Sequence, residues 1–182
     1  RHFIDDDGPR VLDGGHLLVA VRRPEADGEN QRGGEQQPEG AGEPEEDVEM
    51  PIEEIDTAVV GGGQAGLAMS EHLSKCGVPH LVLERHRIAE RWRSQRWDSL
   101  VANGPAWHDR FPGMEFPGAD PDAFIPKEAV ADYFVAYAEM IAAPIRCGVE
   151  VKEVRRNAGQ AGFRVETSDG VIKANNVVAA TG

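Results

Sequence analysis

The chain has 182 residues, enough for one domain with a real core. Its net charge of −13 is uneven: residues 1–55 hold 16 acidic and 5 basic side chains, whereas residues 56–182 hold 16 and 14. The acidity therefore belongs to the leader, no basic patch argues for nucleic acid, and the two cysteines, Cys76 and Cys147, lack the spacing of a redox pair or a metal site.

At the start, residues 17–21 (Leu-Leu-Val-Ala-Val) read as a strand after a turn at Asp13-Gly14-Gly15. They are either the remnant of a preceding domain or a tail with no fixed place. The run is too short to span a bilayer, no signal-peptide pattern surrounds it, and a cytoplasmic location is the default. Residues 25–50 are rich in Glu, Gly, Gln and Pro and almost lack large apolar side chains. Such a composition cannot bury enough surface to offset chain entropy, so it reads as a disordered acidic linker, with an acidic interaction tail as the alternative. Residues 1–54 together form the largely disordered leader, and residues 55–182 the folded domain. Arg1 and Thr181-Gly182 both look like cuts rather than natural termini.

Thr57-Ala58-Val59-Val60 reads as the end of a buried strand, and Gly61, Gly63 and Gly66 follow as G-x-G-x-x-G. Gly61 permits the tight turn, Gly63 lets a pyrophosphate approach the backbone, and Gly66 lets a helix lie close to the strand. Gln64 and Ala65 open that helix, whose N-terminus offers free N–H groups to phosphates. Apolar residues at helical spacing carry it to residue 76, Gly77 caps it and Pro79 stops it. Residues 80–84 form a second strand that ends in Glu84, where a dinucleotide fold places an acid on the ribose hydroxyls. An acid there suits FAD or NAD rather than NADP.

Residues 85–100 carry a run of arginines interleaved with Trp92 and Trp97. A nucleic-acid site and a surface helix with Trp92 in the core are both readings of it. Given the dinucleotide fold, arginines pairing with phosphates and an indole packing on a flat ring are the better one. Residues 101–121 read as an irregular, aromatic loop that covers something. A helix follows from Pro126 to about residue 142, with Val130, Tyr133, Phe134, Tyr137 and Ile141 on its apolar face. Residues 145–147 form a short strand. Residues 149–154, 163–167 and 171–174 form a three-stranded meander with a turn at Ser168-Asp169-Gly170. Residues 176–180 are a further buried strand that returns to the parallel sheet. The fold class is α/β: a Rossmann-like parallel sheet with a βαβ unit, plus an antiparallel three-stranded meander.

From about Asp56 onward the chain resembles the N-terminal half of flavin-dependent monooxygenases. These include flavin-containing monooxygenases, plant auxin-forming monooxygenases and bacterial flavoproteins described as involved in K+ transport. The stretches that carry the resemblance are Gly61 to Gly66, Leu83-Glu84-Arg85, the run from Trp92 to Leu100, and Ala180-Thr181-Gly182. The resemblance implies FAD on the first glycine motif, with Arg85, Trp92, Arg93, Trp97, Ser99, Val151, Thr181 and Gly182 among its neighbours. Trp97-Asp98-Ser99-Leu100-Val101-Ala102-Asn103 is similar to the family's aromatic-x-Ser-Leu-x-x-Asn stretch, which implies Asn103 at the reactive edge of the flavin; a turn asparagine before Gly104-Pro105 is the plain alternative. Ala89 and Glu90 stand where the family has two glycines before its tryptophan.

The implied chemistry is NADPH-dependent reduction of FAD, then transfer of one oxygen from a peroxyflavin to a small-molecule substrate, with O₂ as co-substrate. No metal is implied, and His72, His80, His86 and His108 are structural or exposed rather than catalytic. A second G-x-G-x-x-G for NADPH and the family's F-x-G-x-x-x-H signature do not occur in these residues. The match thus covers the FAD half, and the chain reads as a fragment that binds FAD without completing turnover; oligomeric state is not legible. A non-catalytic dinucleotide module, a disulfide oxidoreductase of the two-dinucleotide-domain type and an NAD-dependent dehydrogenase are the alternatives. The missing cysteine pair counts against the second, and the Trp-Arg stretch against the third.

Overall fold

The computed structural model describes Val19–Ala20, residues 52–157 and residues 161–182. The disordered leader expected over residues 1–54 lies mostly outside these, apart from strand β1 (Val19–Ala20) and the first residues of β2.

Strand β2 (Ile52–Val60) runs into the glycine turn and helix α1 (Gln64–Lys75), and β3 (His80–Glu84) returns parallel to β2. Two hydrogen bonds end α1: Gly77, with φ +67, donates to the Ser74 carbonyl, and Val78 donates to that of Leu73. This paired closure turns the chain into β3 within four residues. His80 is buried, with its ring nitrogens on Ser70 Oγ and the Val78 carbonyl, a structural role.

Beyond β3 come α2 (Glu90–Ser94), β4 (Val101–Pro105), α3 (Ala106–Asp109), β5 (Phe124–Pro126) and α4 (Lys127–Met140). The chain closes with β6 (Ile145–Cys147), β7 (Val151–Arg156), β8 (Phe163–Thr167) and β9 (Gly170–Ala179). Among the described residues, seven strands form one mixed sheet in the order β6-β3-β2-β9-β8-β7, and β1 pairs antiparallel with the end of β9. Val59, Val82 and Val178 lie in one cluster with Met69 and Leu73 of α1. Ala58, Leu83, Val165 and Val177 make another core with Val149 and Ile172.

Three expectations need correction. Strand β2 starts at Ile52, not near residue 55. The antiparallel meander is present as β7, β8 and the first half of β9, but residues 171–174 and 176–180 belong to one strand rather than two. One edge of β9 pairs with β2 along its length, from Ile52↔Val171 to Val60↔Ala179, while the first half of its other edge pairs with β8. The expected break fell at Asn175, but the side-chain amides of Asn175 and Asn176 donate to the Asp56 carboxylate at 3.1 and 3.3 Å, so the strand runs through both.

The third correction concerns residues 101–121, which are not uniformly irregular. Strands β4 and β5 form an antiparallel pair, with α3 directly after β4. What the segment covers is α4. Phe116 stacks on Tyr133 at 4.0 Å between ring centroids, and Phe111 on Tyr137 at 4.2 Å. With Leu67, Val130 and Phe134 these rings form the largest buried cluster of the described residues. Trp92 packs edge-on against Phe134 at 6.1 Å.

Candidate functional site

The glycine turn lies at the carboxyl ends of β2, β3 and β9, where ligands bind in open α/β sheets. Gly61 has φ +111, and a Cβ there would lie 2.4 Å from the Ala180 carbonyl oxygen. A Cβ on Gly66 would lie 1.9 Å from the Gly61 carbonyl oxygen, so α1 reaches the strand only because position 66 has no side chain. A Cβ on Gly63 would meet nothing within 4 Å among the described residues, and the φ of −88° there is ordinary. Two glycines are thus required by packing and the third is not. The open space at Gly63 faces the start of α1, where no side chain caps the helix and no acid occupies the first turn. The first intrahelical bond runs from the Leu67 amide to the Gly63 carbonyl, so the amides of Gln64, Ala65 and Gly66 have no intrahelical acceptor. The cradle fits a pyrophosphate group.

Glu84 closes one side of it. Its Oε2 accepts the Gly62 amide at 2.7 Å and its Oε1 the His86 amide at 3.0 Å. The Val149 amide donates to the Glu84 carbonyl, and the Gly148 amide to that of His86, which brings the start of β7 beside the end of β3. Val151 begins β7, half-buried, and Arg85 is exposed. Thr181 and Gly182 follow β9 past the turn. The Arg91 guanidinium donates to the Gly182 and Thr181 carbonyls, at 2.9 and 3.3 Å, and ties α2 to this end of the sheet. Sequence reasoning missed Arg91; the only signal was its place in the arginine run.

Several other candidates stand apart from the cradle's contacts. Arg93 is paired with Asp132 of α4 at 2.8 Å. Trp97 and Ser99 are exposed on the turn before β4, and Asn103 is exposed on β4 itself. Ala89 precedes α2 at φ +60. The left-handed backbone that a glycine would adopt readily is held there by an alanine.

Cys76 and Cys147 are both free. Although Cys147 is exposed, local desolvation of its sulfur, with the Glu84 carboxylate adding to it, pushes the thiol up.

The family profile described as Pyridine nucleotide-disulphide oxidoreductase matches residues 58–182. The chain belongs to that family. Within it, the chain is 36% identical over 129 residues to a protein named uncharacterized oxidoreductase CzcO-like from Geobacillus kaustophilus, covering 70% of this chain and 36% of that one. It is 36% identical over 116 residues to the probable indole-3-pyruvate monooxygenase YUCCA1 of Arabidopsis thaliana, covering 61% of this chain and 27% of that one. Among solved structures, a flavin-containing monooxygenase from Stenotrophomonas maltophilia matches with a TM-score of 0.64 at 28% identity, over 71% of this chain and 39% of that one. The chain therefore spans about a third of the length of these relatives. Among the described residues of this family member, no helix is long and apolar enough to cross a membrane.

Proposed function

We propose that residues 52–182 are the FAD-binding portion of an NAD(P)H-dependent flavoprotein monooxygenase. The observation that carries the reading is the cradle itself: Gly61 and Gly66 are locked by packing, and Gly63 alone leaves room in front of an uncapped helix N-terminus. The names of the relatives, a flavin-containing monooxygenase and an indole-3-pyruvate monooxygenase, supply the reaction class. Its substrates would be a small molecule and O₂, with NADPH as reductant.

In this reading the amides at the start of α1 hold the pyrophosphate, and Glu84 accepts from the adenosine ribose hydroxyls. A carboxylate offers about four lone-pair sites, and two are used by Gly62 and His86, so acceptor capacity remains. Arg85 and Val151 flank the adenosine end. Thr181 and Gly182 form the opposite wall, held by Arg91. Trp92, Arg93, Trp97 and Ser99 belong to the segment that runs from the cradle toward the reacting ring. When bound, FAD supplies the electron-transfer and oxygen-activating chemistry that side chains lack. Asn103 would give an uncharged amide donor at the reacting edge, one that orients oxygen or nicotinamide without delivering a proton.

The test uses the full-length protein. It should carry flavin absorbance or acquire it on incubation with FAD, and should consume O₂ when given NADPH. Asn103→Leu should keep its FAD yet release more hydrogen peroxide per NADPH oxidised. Loss of a donor to a reacting group typically costs about 3 kcal/mol, or about a hundredfold. A colourless protein that takes up NAD but not FAD sinks the reading, and unchanged coupling in Asn103→Leu removes Asn103 from it.

A further inference from the structure

Lys127 is in the wrong place for an ordinary lysine. Its side chain is only 5% exposed, and it opens α4, where a cation opposes the helix dipole. Burying an ammonium is costly unless it is paired. The neighbouring Val130, Ala131 and Phe134 form an apolar cluster, so packing alone would be served by leucine or methionine.

The charge holds a turn. Lys127 Nζ donates to Asp98 Oδ1 at 3.0 Å and to the Arg96 carbonyl at 3.2 Å, with Glu128 Oε1 at 3.6 Å, and its backbone amide donates to the Leu100 carbonyl at 3.1 Å. Three residues of a five-residue segment are fixed by one. Within the segment the Leu100 amide closes on the Trp97 carbonyl at 3.1 Å. Trp97, 63% exposed, and Ser99 are thrown outward by this turn, and β4 with Asn103 starts directly after it. Asp98 lies in open solvent, and pairing with it raises the Lys127 ammonium further above its usual range, so the cation stays charged.

We propose that Lys127 is a positioning residue that fixes the turn over residues 96–100, so that Trp97, Ser99 and the start of β4 are presented in one arrangement to the bound flavin. The flavin part of this rests on the proposed function; the hold on the turn does not.

Two measurements separate them. The first is amide hydrogen exchange of the full-length protein without cofactor, and the second is flavin affinity by titration. Lys127→Met keeps the stem and removes the charge, while Lys127→Arg restores it. Exchange over residues 96–100 should accelerate about tenfold in Lys127→Met, as expected for lost bonds to a charged donor, while α1 keeps its protection. Lys127→Arg should recover most of it, and flavin affinity should follow the same order. Should Lys127→Met not fold, Asp98→Asn weakens the same contact from the solvent side and should raise exchange in the same residues. Unchanged exchange there in the folded variants overturns the proposal. Faster exchange with unchanged flavin affinity overturns the link to the cofactor. If the parent protein binds no flavin, the monooxygenase reading fails, and the exchange comparison still decides what Lys127 does to the turn.

Discussion

Glu84 accepts the Gly62 amide at 2.7 Å, which joins the end of one parallel strand to the turn leaving its neighbour. Gly62 is buried, so this carboxylate has a structural task before any ligand arrives. Glu84→Ala should leave the Gly62 N–H without its acceptor and cost about 1–3 kcal/mol in denaturant unfolding. Glu84→Gln keeps one acceptor oxygen and should lose less stability, while weakening FAD by about tenfold or 1.4 kcal/mol. Equal FAD affinity in Glu84→Gln and the parent would remove the ribose from its role.

Two of the motif glycines, Gly63 and Gly66, should respond in opposite ways. Gly63→Leu meets open space and an ordinary φ, and loses only the N-cap preference for glycine, so its unfolding free energy should fall by no more than about 1 kcal/mol. Flavin binding should nonetheless be lost, because the side chain takes the pyrophosphate's place. Gly66→Ala should do the reverse damage. Its methyl group is driven into the Gly61 carbonyl, a backbone atom that cannot swing away, at a cost of about 3 kcal/mol or more. Thermal melts of the two cofactor-free variants check the contrast directly.

Ala89 carries a left-handed penalty of about 1–2 kcal/mol at φ +60. Ala89→Gly relieves it but loses a buried methyl worth about 0.8 kcal/mol and adds freedom to the unfolded chain. The net change should be close to zero. In contrast, Ala89→Val puts a β-branched side chain where the backbone least tolerates one and should destabilise by at least about 2 kcal/mol. A melt in which Val is tolerated as well as Gly contradicts the left-handed geometry.

Tyr133 and Tyr137 sit one turn apart on α4, yet their hydroxyls differ. The Tyr133 hydroxyl accepts the Phe111 amide and donates to the Met114 carbonyl, each at 2.7 Å. That of Tyr137 is buried and makes no close hydrogen bond among the described residues; burial first, then the Glu71 carboxylate toward which the hydroxyl is directed, pushes the phenol well above its usual value. Tyr133→Phe should cost about 1–3 kcal/mol by stranding two backbone groups. Tyr137→Phe removes only a long contact to Glu71 and should cost clearly less, within about 1 kcal/mol of the parent. Chemical denaturation of the two single variants, compared for midpoint at constant slope, gives the answer.

Much of this was legible in local patterns. The helix after the glycine turn, the strand ending at Glu84, and the strands at residues 145–147 and 163–167 have local signals that agree with their places in the fold. Where sequence reading failed, the deciding contact was distant. Asn175 looks like a break until Asp56, far away in the chain, supplies an acceptor for it and for Asn176. Strands β4 and β5 have Pro and Gly in a pattern that reads as loop, and only their pairing makes them strands. Lys127 and Arg91 escaped notice because their partners, a turn and two carbonyls, have no sequence signature.

The shared strand β9 also sets an order of events on the ribosome. Val60 of β2 pairs with Ala179 of β9, more than a hundred residues later. Until β9 has emerged, β2 and β3 present an open apolar edge, and β7 and β8 have nothing to join them to the parallel half. At synthesis rates of about 5–20 residues per second, that interval lasts on the order of ten seconds. The nascent chain must therefore be kept from pairing with other chains through β2, and a slowly translated or truncated message that stops short of β9 would leave an aggregation-prone edge rather than a smaller folded protein.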